Sequence, residues 1–432
     1  MNAPHTTASD TTYTAPPSVE RLGGRALVVA LVALVLVLVL LGLARLLGAH
    51  VNLADVWRAY LVGYVFWTGV SVGSLALIML HHLSGGGWGV VIRRPLEAAT
   101  RTLPVMFVLF IPLAIAVFTH SLYPWTLPEV AGEHAVKHKA IYLNVPFFLG
   151  RTLFYFAMWW LLQHFLSKWS LAQDRADDPR ERRSLKDKLQ NLSGPGILLF
   201  GLTVSFAAVD WVMSLEPEWF STIYGLLIMV GWGLTALAFA IVTTVILSKD
   251  ERLEHVYQPR HFHDHGKLLL AFVMLWAYFS FSQFLIIWSG NLPEEIPWYL
   301  RRLYGGWGYV AVAIVILHFA LPFVLLLSRD LKRRARTLVL VALLVLFMRI
   351  VDLIWTIAPS ALAMPQHGAE GAAAGQAGGL AAVLVYALNF ILPALIGGIW
   401  LWWYARELRS RPLLPLGDEG LENALAEPSG HH

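Results

Sequence analysis

Residues 26–47 read ALVVALVALVLVLVLLGLARLL, an unbroken apolar run whose one charge is Arg45. At 1.5 Å per residue such a run covers the roughly 30 Å of a bilayer's hydrocarbon. It is apolar on every side, whereas a helix at the surface of a soluble protein needs a polar face. Nine more stretches of this kind follow, at 58–82, 100–121, 142–166, 194–214, 221–247, 267–290, 304–327, 337–358 and 379–404. The composition agrees: of 432 residues, 57% are hydrophobic and 14% charged, where a soluble domain carries about 25% charged residues. Mean hydropathy is +0.61. The expected fold is an all-α polytopic membrane protein of ten transmembrane helices, which excludes a soluble enzyme and a nucleic-acid binder despite a net charge of +4.

The basic residues set an orientation. One series of alternate loops holds nearly all the Lys and Arg, among them Arg93, Arg94 and Arg101, the cluster from Lys168 to Lys188, and Arg329 to Arg336. The other series holds Arg58, Lys137, Lys139, Arg301 and Arg302. Basic residues accumulate on the cytoplasmic side, so both termini are expected in the cytoplasm of a bacterial inner membrane. Tyr123, Trp125, Trp219, Trp298 and Tyr299 fall near span ends, where an amphipathic ring settles at the headgroup level. Residues 1–20, rich in Thr, Ser and Pro, read as a disordered tail, and the first run is too long for a signal peptide.

Spans two to five and six to nine run in the same sense, and each group ends in an Asp-bearing helix, Val209-Asp210-Trp211 and Val351-Asp352-Leu353. That pattern divides the chain into a tail (1–25), a flanking span (26–56), two parallel four-helix bundles (57–216 and 217–360) and a last span with its tail (361–432).

Charges that stay within the spans carry most of the information. They are Arg45, Arg151, Arg349, Asp210 and Asp352. A charge at mid-bilayer costs at least about 2.5–3.5 kcal/mol, so such residues face a partner or a functional cavity. Arg45, near a span end, can snorkel to water. Arg349 and Asp352, three apart on one helix, share a face and can pair. Arg151, Asp210, Arg349 and Asp352 all fall in the outer half of their spans. They read as a buried site for proton exchange or for a quinone headgroup, or else as ion pairs that lock helices together. His120, at the outer end of span three, joins the proton-transfer candidates; His134 and His138 follow in the outer loop. His164 and His318, toward the inner ends of spans four and eight, are candidates for an inner relay. The run His255 to His265 reads as a solvated loop, and Ser84 to Gly89 as a glycine-rich turn. Ser280, Ser282, Gln283 and Asn389 could extend a hydrated path or serve as interhelical hydrogen bonds.

There is no cysteine, which removes disulfides, iron–sulfur ligation, thiolate zinc sites and covalent haem attachment. No metal site and no haem are expected on this chain. A stand-alone secondary transporter would require paired Gly/Pro interruptions in matching halves; Pro104, Pro112 and Pro322 do not supply them.

Two outer stretches carry a resemblance. DWVMSLEPEWFSTIYG at 210–225 and FSQFLIIWSGNLPEE at 281–295 resemble the second quinone-type membrane subunit (the F subunit) of bacterial alternative complex III. That subunit belongs to the polysulfide-reductase membrane-subunit (NrfD-like) superfamily. With the ten-span plan, the resemblance extends over nearly the whole chain. It implies a multi-subunit complex that oxidises quinol, commonly menaquinol, and passes electrons through an iron–sulfur subunit and multihaem c-type cytochromes to a periplasmic acceptor. A second NrfD-like subunit would be a partner and the more securely associated with quinol oxidation. The present chain would conduct protons or serve a structural role, and carry no metal centre. The site residues named above rest on their own chemistry and are not transferred from the family.

Overall fold

The computed structural model describes residues 13–49, 51–132, 134–253, 256–361 and 379–425. Ten of its helices are long and apolar enough to cross a membrane, and no strand occurs among the described residues. They are α1 (Pro17–Leu46), α2 (Leu53–Ser84), α3 (Arg93–Phe118), α4 (Val145–Arg175), α5 (Pro179–Leu215), α6 (Tyr224–Leu247), α7 (Pro259–Gly290), α8 (Trp307–Leu327), α9 (Ala335–Ser360) and α10 (Gly379–Arg409). Ten crossings return the chain to the face where it began, and an Arg409–Glu20 ion pair joins the two ends there. This side is called the terminal face below, and the opposite one the far face.

Several helices run past the apolar stretches that announce them. α1 starts at Pro17, so residues 17–20 are helical where a disordered tail was expected. α5 begins at Pro179, with Asp178 accepting a hydrogen bond from Arg180 N and proline in the first turn, where its missing N–H is harmless. α7 begins at Pro259 behind a capping box between Gln258 and His261. The His261–His265 stretch is therefore helix, with His261 and His265 buried, and it corrects the expectation of a solvated loop. His255 lies outside the described residues.

Lipid tails are as apolar as leucine, so helix association relies on close approach and hydrogen bonds. α2 is the axis, packing against α3, α5, α6, α9 and α10. Its Gly63, Gly69 and Gly73 permit the approach: a Cβ at Gly73 would meet the Trp232 carbonyl oxygen of α6 at 2.2 Å, and one at Gly63 would meet Cα of Pro393 in α10 at 2.7 Å. α4 packs along α5, α7 and α9 along α6, and α8 along α7 and α9. α1 leans on α10 through a stripe of small residues; Ala26 and Ala30 lie against Gly398. Val19 and Val37 of α1 are also buried, and most of its other leucines and valines face outward.

Proline shapes two of the crossings. α3 is broken into Arg93–Thr100, Leu103–Leu109 and Ile111–Phe118, with Pro104 and Pro112 opening the second and third segments. Tyr60 of α2 donates to the Leu109 carbonyl beside the second break at 2.7 Å. In α8, residues Ile314–Ala320 form a π-helical stretch that ends just before Pro322. Proline cannot donate to the carbonyl four residues back, here that of His318, and its ring pushes that carbonyl away. The turn widens as a result.

Gly73→Val would force α2 from α6. We expect about 1–3 kcal/mol of destabilisation, measured by reversible denaturation in mixed micelles, against little change for Gly42→Val on the lipid side of α1, where a Cβ meets nothing.

Candidate functional site

The two buried aspartates sit in unlike surroundings. Asp210, near the far end of α5, is fully buried. Arg151 of α4 donates to both of its carboxylate oxygens, at 2.9 Å through Nε and 2.8 Å through Nη2. The Tyr155 hydroxyl adds a third bond at 2.6 Å. Arg151 in turn donates to the Tyr142 carbonyl at 3.0 Å and lies 3.7 Å above the Tyr142 ring. The start of α4 is fixed by Asn144, which accepts from Phe147 N at 2.9 Å. Charge, hydrogen bonds and packing of Asp210 are thus all satisfied by α4.

The second cluster is not closed in this way. Arg349 and Asp352 of α9 pair through Nη1 and Oδ2, and Gly231 of α6 leaves the room: a Cβ there would meet the guanidinium at 2.3 Å. Arg349 Nε has no hydrogen-bond partner. His318, fully buried in the π-helical stretch of α8, has none at either ring nitrogen. Its ring stands edge-on to Trp276 of α7, centroids 4.2 Å apart, and it lies within electrostatic reach of Arg349. Toward the far face Tyr299 feels both Gln283 and Asp352; burial pushes its phenol above the ordinary value, so it remains neutral. Gln283 and Asn389 are buried, each with an amide oxygen lacking a partner. A partly satisfied polar cluster in a dry interior is where an ordered water or a transferable proton has somewhere to go.

The other candidates lie apart from these two clusters. His318, expected toward the inner end of its span, is midway along it and joins the Arg349 cluster. His164 is exposed on α4 and stacks on Trp160 at 5.2 Å. His120 is exposed in the turn after α3, with a left-handed backbone at φ 54°. Arg45 is exposed in the last turn of α1. The side chain of His134 lies outside the described residues. Among the described residues no group of three or more His, Asp or Glu is gathered to hold a metal.

Sequence reasoning missed two ionic networks because it assigned their members to loops. At the terminal face Arg93, Arg94 and Glu97 are buried in the first segment of α3, and Arg101, the residue that follows it, is buried as well. Arg93 donates to Glu97 at 3.1 Å and to Asp418 at 2.6 Å; Arg94 pairs with Glu97 and Asp174; Ser170 donates to Glu97 at 2.6 Å. This corrects the placement of the third span, whose apolar stretch begins only at Thr100. Beside the network a cavity of about 250 Å³ is lined by His81, His82, Arg93, Gln173, Lys186 and Asp418. At the far face Glu216 pairs with Arg301 and, at 2.7 Å, with Arg302. Arg302 also donates to the Thr356 carbonyl at 2.6 Å and covers the Trp298 ring at 3.7 Å. The i, i+3 and i, i+4 spacing of Arg93, Arg94 and Glu97 was a usable signal; the remote partners Asp174, Asp418 and Glu216 left none. No protein-family model matches the chain, and no curated protein matches it.

Asp210→Asn leaves Arg151 without its counter-charge, and a broken buried pair costs about 3–5 kcal/mol. Folded yield and resistance to denaturation in micelles should drop accordingly. The double variant Arg151→Gln/Asp210→Asn should recover part of the loss, and no recovery would mean that the pair is not what holds α4 to α5.

Proposed function

We propose that this chain is a proton-handling membrane subunit of a quinol-oxidising electron-transfer complex. One observation carries the reading: Arg349, paired with Asp352 on α9, lies within electrostatic reach of His318 on α8, and Arg349 Nε and both His318 ring nitrogens have no hydrogen-bond partner. Ionisable residues are expensive in the bilayer and persist there chiefly for ion or proton pathways. The stretches 210–225 and 281–295, on which the family resemblance rests, both line one cavity at the far face, through Phe220 to Ile223 and through Gln283, Ile286, Ile287 and Glu295. Electrons would travel through iron–sulfur and haem-bearing partners, since a chain without cysteine offers no iron–sulfur ligands.

The division of labour follows from satisfaction. Asp210, held by three hydrogen bonds, serves to lock α5 to α4. Asp352, with one charged neighbour and an orphaned imidazole nearby, is the group suited to take up and release a proton. Tyr299 and Gln283 continue from it toward the side that the basic-residue asymmetry assigns to the periplasm. A quinol supplies two protons with its two electrons. This chain's part is to conduct protons, and the quinone site is assigned to the second NrfD-like subunit. A structural subunit without proton traffic is the competing reading, favoured by the complete pairing of Asp210.

Two measurements separate these readings. Purification of the chain in mild detergent should bring down multihaem cytochrome c, visible in the haem spectrum, with an iron–sulfur subunit; a clean single chain without haem would remove the complex from consideration. In the assembled complex Asp352→Asn should leave the subunits together and lower coupled turnover or proton release by about a hundredfold, the scale of a lost acid–base group. Unchanged turnover and unchanged protons per electron would leave Asp352 as structure only.

A further inference from the structure

A second cavity, of about 200 Å³, opens at the far face between the start of α6 and the last turns of α7. Its wall includes Phe220, Ser221, Thr222, Gln283, Ile286 and Glu295. Phe220 and Ile286 are about half exposed, at 49% and 57%, so the mouth is flanked by apolar surface at a membrane interface. Four of its eight lining residues are polar, and they fall on two sides of an otherwise apolar wall. On one side α6, a helix of 24 residues, begins with no side chain capping it. Its N-terminus carries free N–H groups and the positive end of the helix dipole. Ser221 and Thr222 sit just before it and line the cavity; Lys139, 5.6 Å from the Phe220 ring, stands outside the wall and donates to the Pro217 carbonyl at 2.6 Å. On the other side stands Glu295, half-buried and without an ion-pair partner among the described residues. Beside it is the Gln283 amide, 1% exposed, whose Oε1 has no hydrogen-bond partner. Arg301 and Arg302, the nearest cations on that side in sequence, are taken by Glu216.

We propose that this cavity binds the headgroup of a zwitterionic, amine-bearing phospholipid. A phosphate fits the uncapped helix start with its two hydroxyls, as anions do at helix N-termini. The ammonium fits Glu295 and Gln283 Oε1, which accept and cannot donate. That chemistry selects an amine with N–H groups, such as ethanolamine, over a quaternary choline of equal charge. The acyl chains leave along Phe220 and Ile286. A bound lipid of this kind would tie the α5–α6 turn to the end of α7 and so brace the Glu216–Arg302 clamp.

The test uses the full chain, or the complex that contains it, reconstituted into nanodiscs of equimolar phosphatidylethanolamine and phosphatidylcholine. It is then extracted into detergent, and the retained lipid is counted by native mass spectrometry. The wild type should retain phosphatidylethanolamine about tenfold over phosphatidylcholine, the factor that one charged hydrogen bond supplies. Glu295→Gln should bring the ratio close to one, and Thr222→Val should weaken retention of both lipids. Glu419→Gln, at the terminal face, should change neither. Equal retention of the two lipids by the wild type would overturn the proposal. So would a preference that survives Glu295→Gln, or a bound quinone in place of phospholipid. A variant is read only if its circular dichroism and elution match the wild type; should Glu295→Gln not meet this, Glu295→Asp replaces it, and an unaltered preference with the shorter carboxylate would equally overturn the assignment.

Discussion

A charge inside the bilayer has no water to turn to, so its partner must come from the protein, and the placement of those partners fixes this fold. Arg151 and Asp210 set α4 against α5. Arg101 and Glu407 set α3 against α10, at 2.7 Å. Glu97 draws in Arg93 and Arg94, and those two guanidiniums reach α4 through Asp174 and the C-terminal segment through Asp418. Glu216 joins the α5–α6 turn to the helix Ile296–Leu303, and Arg302 passes the connection on to α9. These pairs give little net stability compared with apolar replacements, but breaking one is costly. Their effect is to make wrong registers expensive, because a one-turn slip would bury two unpaired charges.

Close packing supplies what the pairs do not. Between them, the approach of α2 to α6 and α10 depends on glycine, and the space gained is filled by indole rings. Trp159, Trp211 and Trp232 are each almost wholly buried, with Trp159 6.1 Å from Trp232 and 5.9 Å from Trp211. Their N–H groups are only partly matched: Trp159 donates to Thr203 at 2.9 Å and Trp211 to Thr152 at 3.1 Å, whereas Trp232 Nε1 has no partner. α4, α5 and α6 thus share an aromatic core beside a satisfied carboxylate.

The spans were legible because twenty apolar residues in succession have few other uses. Their membrane-embedded charges were legible for the same reason, as interruptions; Arg349 and Asp352, three residues apart, pair as their spacing suggests. The terminal-face ends were not legible from hydropathy, since α5 and α7 begin with polar turns that leave the bilayer while remaining helical. Asp178-Pro179 was the signal for the first of these starts. The burial of Arg93, Arg94 and Glu97 escaped because loop charges are counted as solvated, and their remote partners are Ser170 and Asp174 near the end of α4 and Asp418 in the C-terminal segment. Nor does any local pattern announce that His318 would meet Trp276: that contact depends on how α7 and α8 cross.

The π-helical stretch of α8 shows how sequence, backbone and site connect. A π-turn is rare and occurs mostly as a single bulge inside an α-helix. Pro322 provides part of the cause, through the carbonyl it cannot bond, and that carbonyl belongs to His318 itself. The same displacement widens the helix at the one residue whose imidazole lies beside Arg349. A regular α-turn would shift the ring around the helix axis, by up to 100° per residue of register, and carry it off Trp276. The π-helical stretch and the orphaned nitrogens of His318 thus fall at the same residue. A side chain held in a dry cluster by a proline one turn away is what places the proposed proton handling on α8 and α9, while the fully paired Asp210 places the proposed locking role on α4 and α5.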